Sequence, residues 1–74
     1  MKETTINYVE SRINHANRFP GNSIMVDLFE NQAFGAVELA CMVLYKDDPE
    51  AEAELLKRWN DEWSIEFFKI KFPN

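Results

Sequence analysis

The chain has 74 residues and a net charge of −5, and 46% of its residues are hydrophobic. This length allows a single domain, residues 1–74, with one hydrophobic core, and the apolar content excludes a chain that is disordered by composition. The acidic balance disfavours direct binding to nucleic acid, because proteins that follow its backbone need a basic surface.

The N-terminal sequence and the single cysteine predict where the protein works. Residues 1–11 contain no apolar stretch of the kind that signal peptides carry. No run of the chain reaches the ~18 apolar residues of a membrane span. Cys41 lies in an apolar segment and predicts a buried thiol, with no disulfide framework. We therefore expect a cytoplasmic protein without membrane contact.

Residues 5–18 are predicted to form the first helix, with Thr4 or Thr5 as its N-cap. Pro20 and Gly21 end it, because proline disfavours helix in the residue before it and Pro-Gly suits the centre of a type II turn. The apolar residues of this helix recur at three- and four-residue spacing and form one stripe: Ile6, Val9, Ile13 and Ala16.

Residues 23–46 are predicted to form a long central helix, with Asn22 or Ser23 as its N-cap. A break near residues 31–35 is left open. An alternative takes residues 24–29 as a strand, because a short apolar run does not by itself distinguish strand from helix.

The thirteen residues 33–45 carry a single charge, Glu38. A helix with so broad an apolar arc contacts two neighbours. We therefore expect this run to lie at the centre of the core, with Tyr45 on the polar side of the helix.

Residues 49–70 are predicted to form the third helix. Asp48 fits the N-cap position and Pro49 fits the first helical position, which needs no backbone N–H. An alternative takes residues 68–72 as a short strand, because polar and apolar residues alternate there. The predicted core stripe of this helix consists of Leu55, Leu56, Trp59, Trp63, Phe67 and Ile70.

Three amphipathic helices with short connections predict an all-α fold, a small antiparallel three-helix bundle. The alternative is an α+β fold with short strands at 24–29 and 68–72.

A second apolar face on the third helix exceeds what a plain bundle can bury. Ile65, Phe68 and Phe72, here called the C-terminal aromatic face, share one side of the helix away from the core stripe. Either the bundle covers this face or another molecule does. Trp59 and Trp63 are expected at the margin of the core, where aromatic residues often anchor protein interfaces. The predicted protein-interaction residues are Trp59, Trp63, Ile65, Phe68 and Phe72.

Acidic residues are concentrated between residues 27 and 54, where Lys46 is the only base. The spacing lacks the central glycine and closing glutamate of a calcium-binding EF-hand loop, so helix capping and solvation are the better explanation. If these acids align in space, they form a surface that attracts a basic partner. The acids are Asp27, Glu30, Glu38, Asp47, Asp48, Glu50, Glu52 and Glu54.

No residue set predicts catalysis, a metal or a cofactor. His15 is the only histidine and cannot build an ordinary zinc site alone. A nucleophile–base pair of Cys41 and His15 is disfavoured, because burial lowers the reactivity of a thiol. We do not expect an enzyme.

The sequence thus predicts a small acidic protein-interaction module or regulator without catalytic activity, of a size and composition typical of phage and mobile-element products. Its partner is another protein or a second copy bound through the C-terminal aromatic face, giving a homodimer. The alternative function is an acidic inhibitor that imitates nucleic acid and occupies a basic site on a host or defence protein.

Overall fold

A computed structural model describes residues 2–73, which form three helical stretches. Two of the stretches contain a π-helical turn, in which a backbone N–H bonds to the carbonyl five residues earlier instead of four. The first stretch is α1 (Lys2–Ala16), the second is α2 (Ser23–Leu39) with the π turn Ala40–Leu44, and the third is α3 (Pro49–Arg58), the π turn Trp59–Trp63 and α4 (Ser64–Lys71).

The stretches pack side by side as an antiparallel bundle, as the sequence predicts. Arg12 in α1 donates to the side chain of Gln32 in α2 at 3.1 Å. Phe34 in α2 packs on Trp59 with ring centroids 4.9 Å apart, and Lys71 at the end of α4 reaches the first half of α2. The bundle is elongated, with principal extents of 39 × 17 × 16 Å.

Neither of the two alternative strands forms, and residues 2–73 contain no strand. Residues 24–29 lie inside α2, and residues 68–71 lie inside α4. The alternation at residues 68–72 reflects a helix with apolar residues on two sides.

The turn and two caps follow the predictions closely. Gly21 has φ +78°, and Asn22 N donates to Phe19 O at 3.1 Å, which closes the turn. Asn22, not Ser23, caps α2, because its Oδ1 accepts from Met25 N at 3.1 Å. Asp48 caps α3, and its Oδ1 accepts from Ala51 N at 3.1 Å.

The cap predicted for α1 is wrong. The helix begins at Lys2, ahead of both candidate threonines, and Thr5 is buried within it. Thr4 and Thr5 stand directly before the apolar stripe, which is a usual place for an N-cap. The helical turn that precedes them was therefore not predicted.

The core combines the predicted stripes of the first and third stretches with one side of the second. Leu56 is the exception in the third stretch, where it stays partly exposed. The buried apolar residues are Val9, Ala16, Val26, Phe29, Ala33, Val37, Ala40, Cys41, Tyr45, Ala51, Leu55, Trp59, Trp63, Phe67 and Ile70.

The irregularity of the second stretch lies at its end, and the helix is unbroken at residues 31–35. In the π turn, Tyr45 N donates to Ala40 O at 2.9 Å. The wider turn shifts the following side chains by about one residue position around the axis. Tyr45 is therefore buried, contrary to the prediction, while Leu44 turns toward solvent.

The prediction that residues 33–45 form the centre of the core is therefore half wrong. Ala33, Val37 and Cys41 are buried, but Leu39 and Met42 are 61% and 72% exposed. A helical segment that is apolar on all sides is normally enclosed, and this one is covered on one side only.

Candidate protein-interaction surfaces

Most of the large apolar side chains that this bundle leaves exposed belong to two surfaces. One is the C-terminal aromatic face. The other runs along the second helical stretch, on the side away from the core. The exposed residues outside both surfaces are Tyr8, Val43, Leu44 and Leu56.

The C-terminal aromatic face is open in the monomer. Ile65, Phe68 and Phe72 are 44%, 61% and 55% exposed. The rings of Phe68 and Phe72 contact each other, with centroids 5.0 Å apart and planes inclined by 54°. No described part of the bundle covers this face. Of the two possibilities that the sequence left open, the bundle does not bury the face, which is exposed to solvent in the monomer.

Trp59 and Trp63 belong to the core stripe, as predicted, but they are buried too deeply for the protein-interaction role that the sequence also suggested. Both are buried, Trp63 to 1% exposure. Trp59 packs between Phe34 and Phe67, and the guanidinium of Arg58 stacks over Trp63 at 4.8 Å from its ring centroid. The indole N–H of Trp63 has no hydrogen-bond partner among the described residues. Neither tryptophan is accessible to a partner.

Sequence reasoning missed the second surface, which we call the α2 outer face. Its members follow one another at spacings of three or four residues and therefore lie on one side of the helix. All are exposed, and none is charged. The α2 outer face consists of Ile24, Leu28, Asn31, Gly35, Leu39 and Met42.

An apolar groove of about 410 Å³ adjoins this face at Leu39. It lies between the first turns of α1 and the end of the second stretch, and Tyr8 forms part of its α1 wall. The residues that line it are Thr4, Thr5, Tyr8, Ala36, Leu39, Ala40, Val43 and Leu44.

The acidic residues do not form one open surface. Lys71 Nζ pairs with the carboxylates of Asp27 and Glu30, the latter at 3.2 Å. The hydrogen bond to Asp27, and after it the bond to Glu30, raises the pKa of Lys71 against the opposing effect of burial. Asp48 is occupied as the cap of α3.

The rest of the acidic set is spread over α2, the loop after it and α3. Glu52 is half-buried, and the others are exposed: Glu38, Asp47, Glu50 and Glu54. The function as an acidic inhibitor stays a prediction.

Cys41 and His15 are held apart by the fold. His15 Nδ1 donates to Ser11 O at 2.8 Å, and its ring packs near Phe29. Cys41 lies twelve residues beyond Phe29 in the second helical stretch, about 18 Å from it along the helix axis. Burial, and secondarily the charge of Glu52, raises the pKa of the Cys41 thiol. This pair cannot act as nucleophile and base.

Residues 2–73 contain no cluster of three or more side chains able to hold a metal ion. Over the same residues, no helix combines the length and the apolar character needed to cross a membrane. Comparison with protein-family models, with curated proteins and with solved structures finds no match to this chain.

Proposed function

We propose that this chain is a small cytoplasmic protein-interaction module that acts by binding and not by catalysis, and that its C-terminal aromatic face pairs two copies into a homodimer. The exposure of Phe68 carries the proposal. A large aromatic ring that is 61% exposed beside a second, 55% exposed ring has apolar surface to bury, and burying it against a partner is favourable.

A second copy is the simplest partner for this face. In a two-fold symmetric dimer the same residues of both copies meet, so a face that is apolar throughout is complementary to itself. Aromatic side chains are also the commonest anchors of protein interfaces. The single cysteine, buried as a thiol, fits a reducing compartment.

The test is the mass of the protein in solution, measured by light scattering over about a tenfold range of concentration. Phe68→Asp should lower the mass, because it places a charge in the interface, and it should leave helicity intact because Phe68 lies outside the core. Phe68→Lys is a second variant at the same position, and it should not weaken the helix because a cation is favourable in the last turn. If both variants dissociate the assembly, a charge of either sign at position 68 is incompatible with the interface.

Leu56→Asp provides the matched control. Leu56 is a partly exposed apolar residue of the same helical stretch but lies outside the aromatic face. Its substitution should leave the mass unchanged. An unaltered mass in both Phe68 variants would refute the role of the aromatic face in self-association.

A further inference from the structure

The end of the second helical stretch buries a polar group that the fold leaves without a partner. Tyr45 is only 8% exposed, and its phenol oxygen is buried with no hydrogen-bond partner among the described residues. A buried hydroxyl without a partner lowers stability, because it has given up its hydrogen bonds to water. Leu44, the residue before it, is 45% exposed. This turn therefore exposes an apolar side chain and encloses an unpaired polar one.

The π turn produces this arrangement. Tyr45 N donates to Ala40 O, five residues earlier, at 2.9 Å. In an uninterrupted α-helix, at about 100° per residue, Leu44 would lie about 20° around the axis from Ala33. Ala33 is fully buried, so an α-helical end would turn Leu44 into the core. Tyr45 would then lie about 120° from Ala33, on the solvent side.

We propose that residues 40–45 exchange between two helical registers, and that the exchange reshapes the apolar groove beside them. In the π register, which the structure shows, Tyr45 is inside and Leu44 is outside. In the α register, Leu44 takes the buried place and Tyr45 reaches solvent, where water satisfies its hydroxyl. Each register buries one large side chain at the same place. Two packings that differ so little in what they bury are close enough in free energy for both to be populated.

The exchange conserves the backbone hydrogen bond of the turn. In the α register Tyr45 N donates to Cys41 O, four residues earlier, in place of Ala40 O. The helix ends here, so only the loop that leads to α3 has to follow the rotation. Asp48 N donates to Tyr45 O at 2.9 Å, and this bond has to open during the exchange. Helix register shifts of this kind take microseconds to milliseconds.

The other π turn is fixed, because the helix continues beyond it. Conversion of Trp59–Trp63 to an α-helical turn would rotate all of α4 and take the fully buried Phe67 out of the core. Ser64 N donates to Trp59 O, which leaves the carbonyl of Asn60 without its usual backbone donor. Ser64 Oγ donates to that oxygen at 3.2 Å. The exchange is therefore specific to the second stretch.

Leu44 connects the register to the apolar groove. Leu44 and Val43 line the groove of about 410 Å³ on the side of the second stretch, and Tyr8 lines it on the side of α1. When Leu44 enters the core, the groove loses part of its wall. The device is independent of the C-terminal aromatic face, because Lys71 fastens the end of α4 to Asp27, in the opposite half of the second stretch.

Relaxation-dispersion NMR tests the exchange in protein carrying ¹³C at the Cζ atom of its two tyrosines. Cζ lies on the axis of ring flipping, so flips do not contribute. Tyr45 reports the register, and Tyr8 reports the groove. Both signals should show dispersion with one exchange rate and a minor population of about 0.1–10%. A Tyr45 signal without dispersion at every temperature overturns the proposal, and dispersion at Tyr45 alone overturns the coupling to the groove.

Two substitutions at Tyr45 should shift the populations in opposite directions. Tyr45→Phe removes the unpartnered hydroxyl, so the α-register population, measured by dispersion at the Leu44 methyl groups, should fall about tenfold. Tyr45→Asn makes burial of this position costly, so the α register should dominate.

The exposure of the Leu44 methyl groups to a soluble paramagnetic agent then reports the dominant register. It should fall in Tyr45→Asn and stay at the wild-type level in Tyr45→Phe. Loss of helicity in Tyr45→Asn, seen by circular dichroism, would show that Leu44 cannot replace Tyr45 in the core and would refute the exchange.

Leu44→Asn should abolish the dispersion of Tyr45, because the α register would bury an amide in the core. Leu28→Asn is the matched control, since Leu28 is 48% exposed on the same stretch and lies outside the π turn. It should leave the exchange unchanged. Equal dispersion in the two variants would show that Leu44 does not enter the core, and the inference would fail.

Discussion

Nζ of Lys71 lies 3.2 Å from Oε1 of Glu30 and also pairs with Asp27, which fastens the last turn of α4 to the first half of α2. The Lys71 side chain is only 18% exposed. An ammonium group held this close to two carboxylates, with little water around it, contributes more than an exposed surface pair does.

Lys71→Met should therefore lower the free energy of unfolding by about 1 kcal/mol, because it leaves two carboxylates without their cation. Urea denaturation followed by circular dichroism measures the change. Lys69→Met is the control, since Lys69 is exposed on the same helix. Equal midpoints for the two variants would show that the Lys71 pair adds nothing to stability.

The same pair predicts how stability depends on pH. The folded protein raises the pKa of Lys71 above its ordinary value, first through the hydrogen bond to Asp27. The contribution is therefore fully present below the unfolded-state pKa of lysine, about 10.4, and disappears as the pH rises through the folded-state pKa. The difference in unfolding free energy between wild type and Lys71→Met should be constant from neutral pH to about 9 and shrink above it. A difference that grew with alkaline pH would contradict this assignment.

Gly21→Ala should destabilise the fold by about 1 kcal/mol. Gly21 has φ +78° in the turn between α1 and α2, a conformation in which a Cβ is strained. Its N–H also donates to Ile70 O at 2.9 Å and ties the turn to α4. Thermal unfolding measures the loss. Gly21→Asn should recover part of it, because asparagine tolerates this region better than alanine. If alanine and asparagine gave the same melting temperature, backbone strain would not be the cause.

Cys41 should react slowly with thiol reagents in the folded protein. The side chain is buried, and burial raises the pKa of the thiol, so little thiolate is present at neutral pH. Labelling with a disulfide reagent should require opening of the fold and should accelerate in urea along with unfolding. A rate in native buffer equal to that of the unfolded chain would show that the thiol is accessible.

The starts of the second and third helices could be predicted from local sequence. Asp48-Pro49 and Pro20-Gly21 act on backbone groups within four residues of themselves, so their effect does not depend on the rest of the fold. The spacing of apolar residues also predicted the core stripe of the third stretch, because a long periodic pattern identifies the buried side of a helix. Leu56 is the exception. Cys41 was correctly expected to be buried, because it lies in an apolar segment.

The α2 outer face could not be predicted from that spacing. Residues 33–45 are apolar on every side, so periodicity does not say which side meets the bundle. The π turn at Ala40–Leu44 then rotates the following side chains by about one residue position around the helix axis. Tyr45 is therefore buried and Leu44 is exposed.

Sequence alone determined that this chain is an acidic helical bundle, where its second and third helices begin, and that the C-terminal aromatic face exceeds what a bundle buries. Only the tertiary structure decided that Trp63 is enclosed, that Lys71 pairs with Asp27 and Glu30, and that Leu39 and Met42 face solvent around Gly35. The physical reason is that capping and turn formation are local, whereas burial and ion pairing depend on which distant helix lies beside each residue.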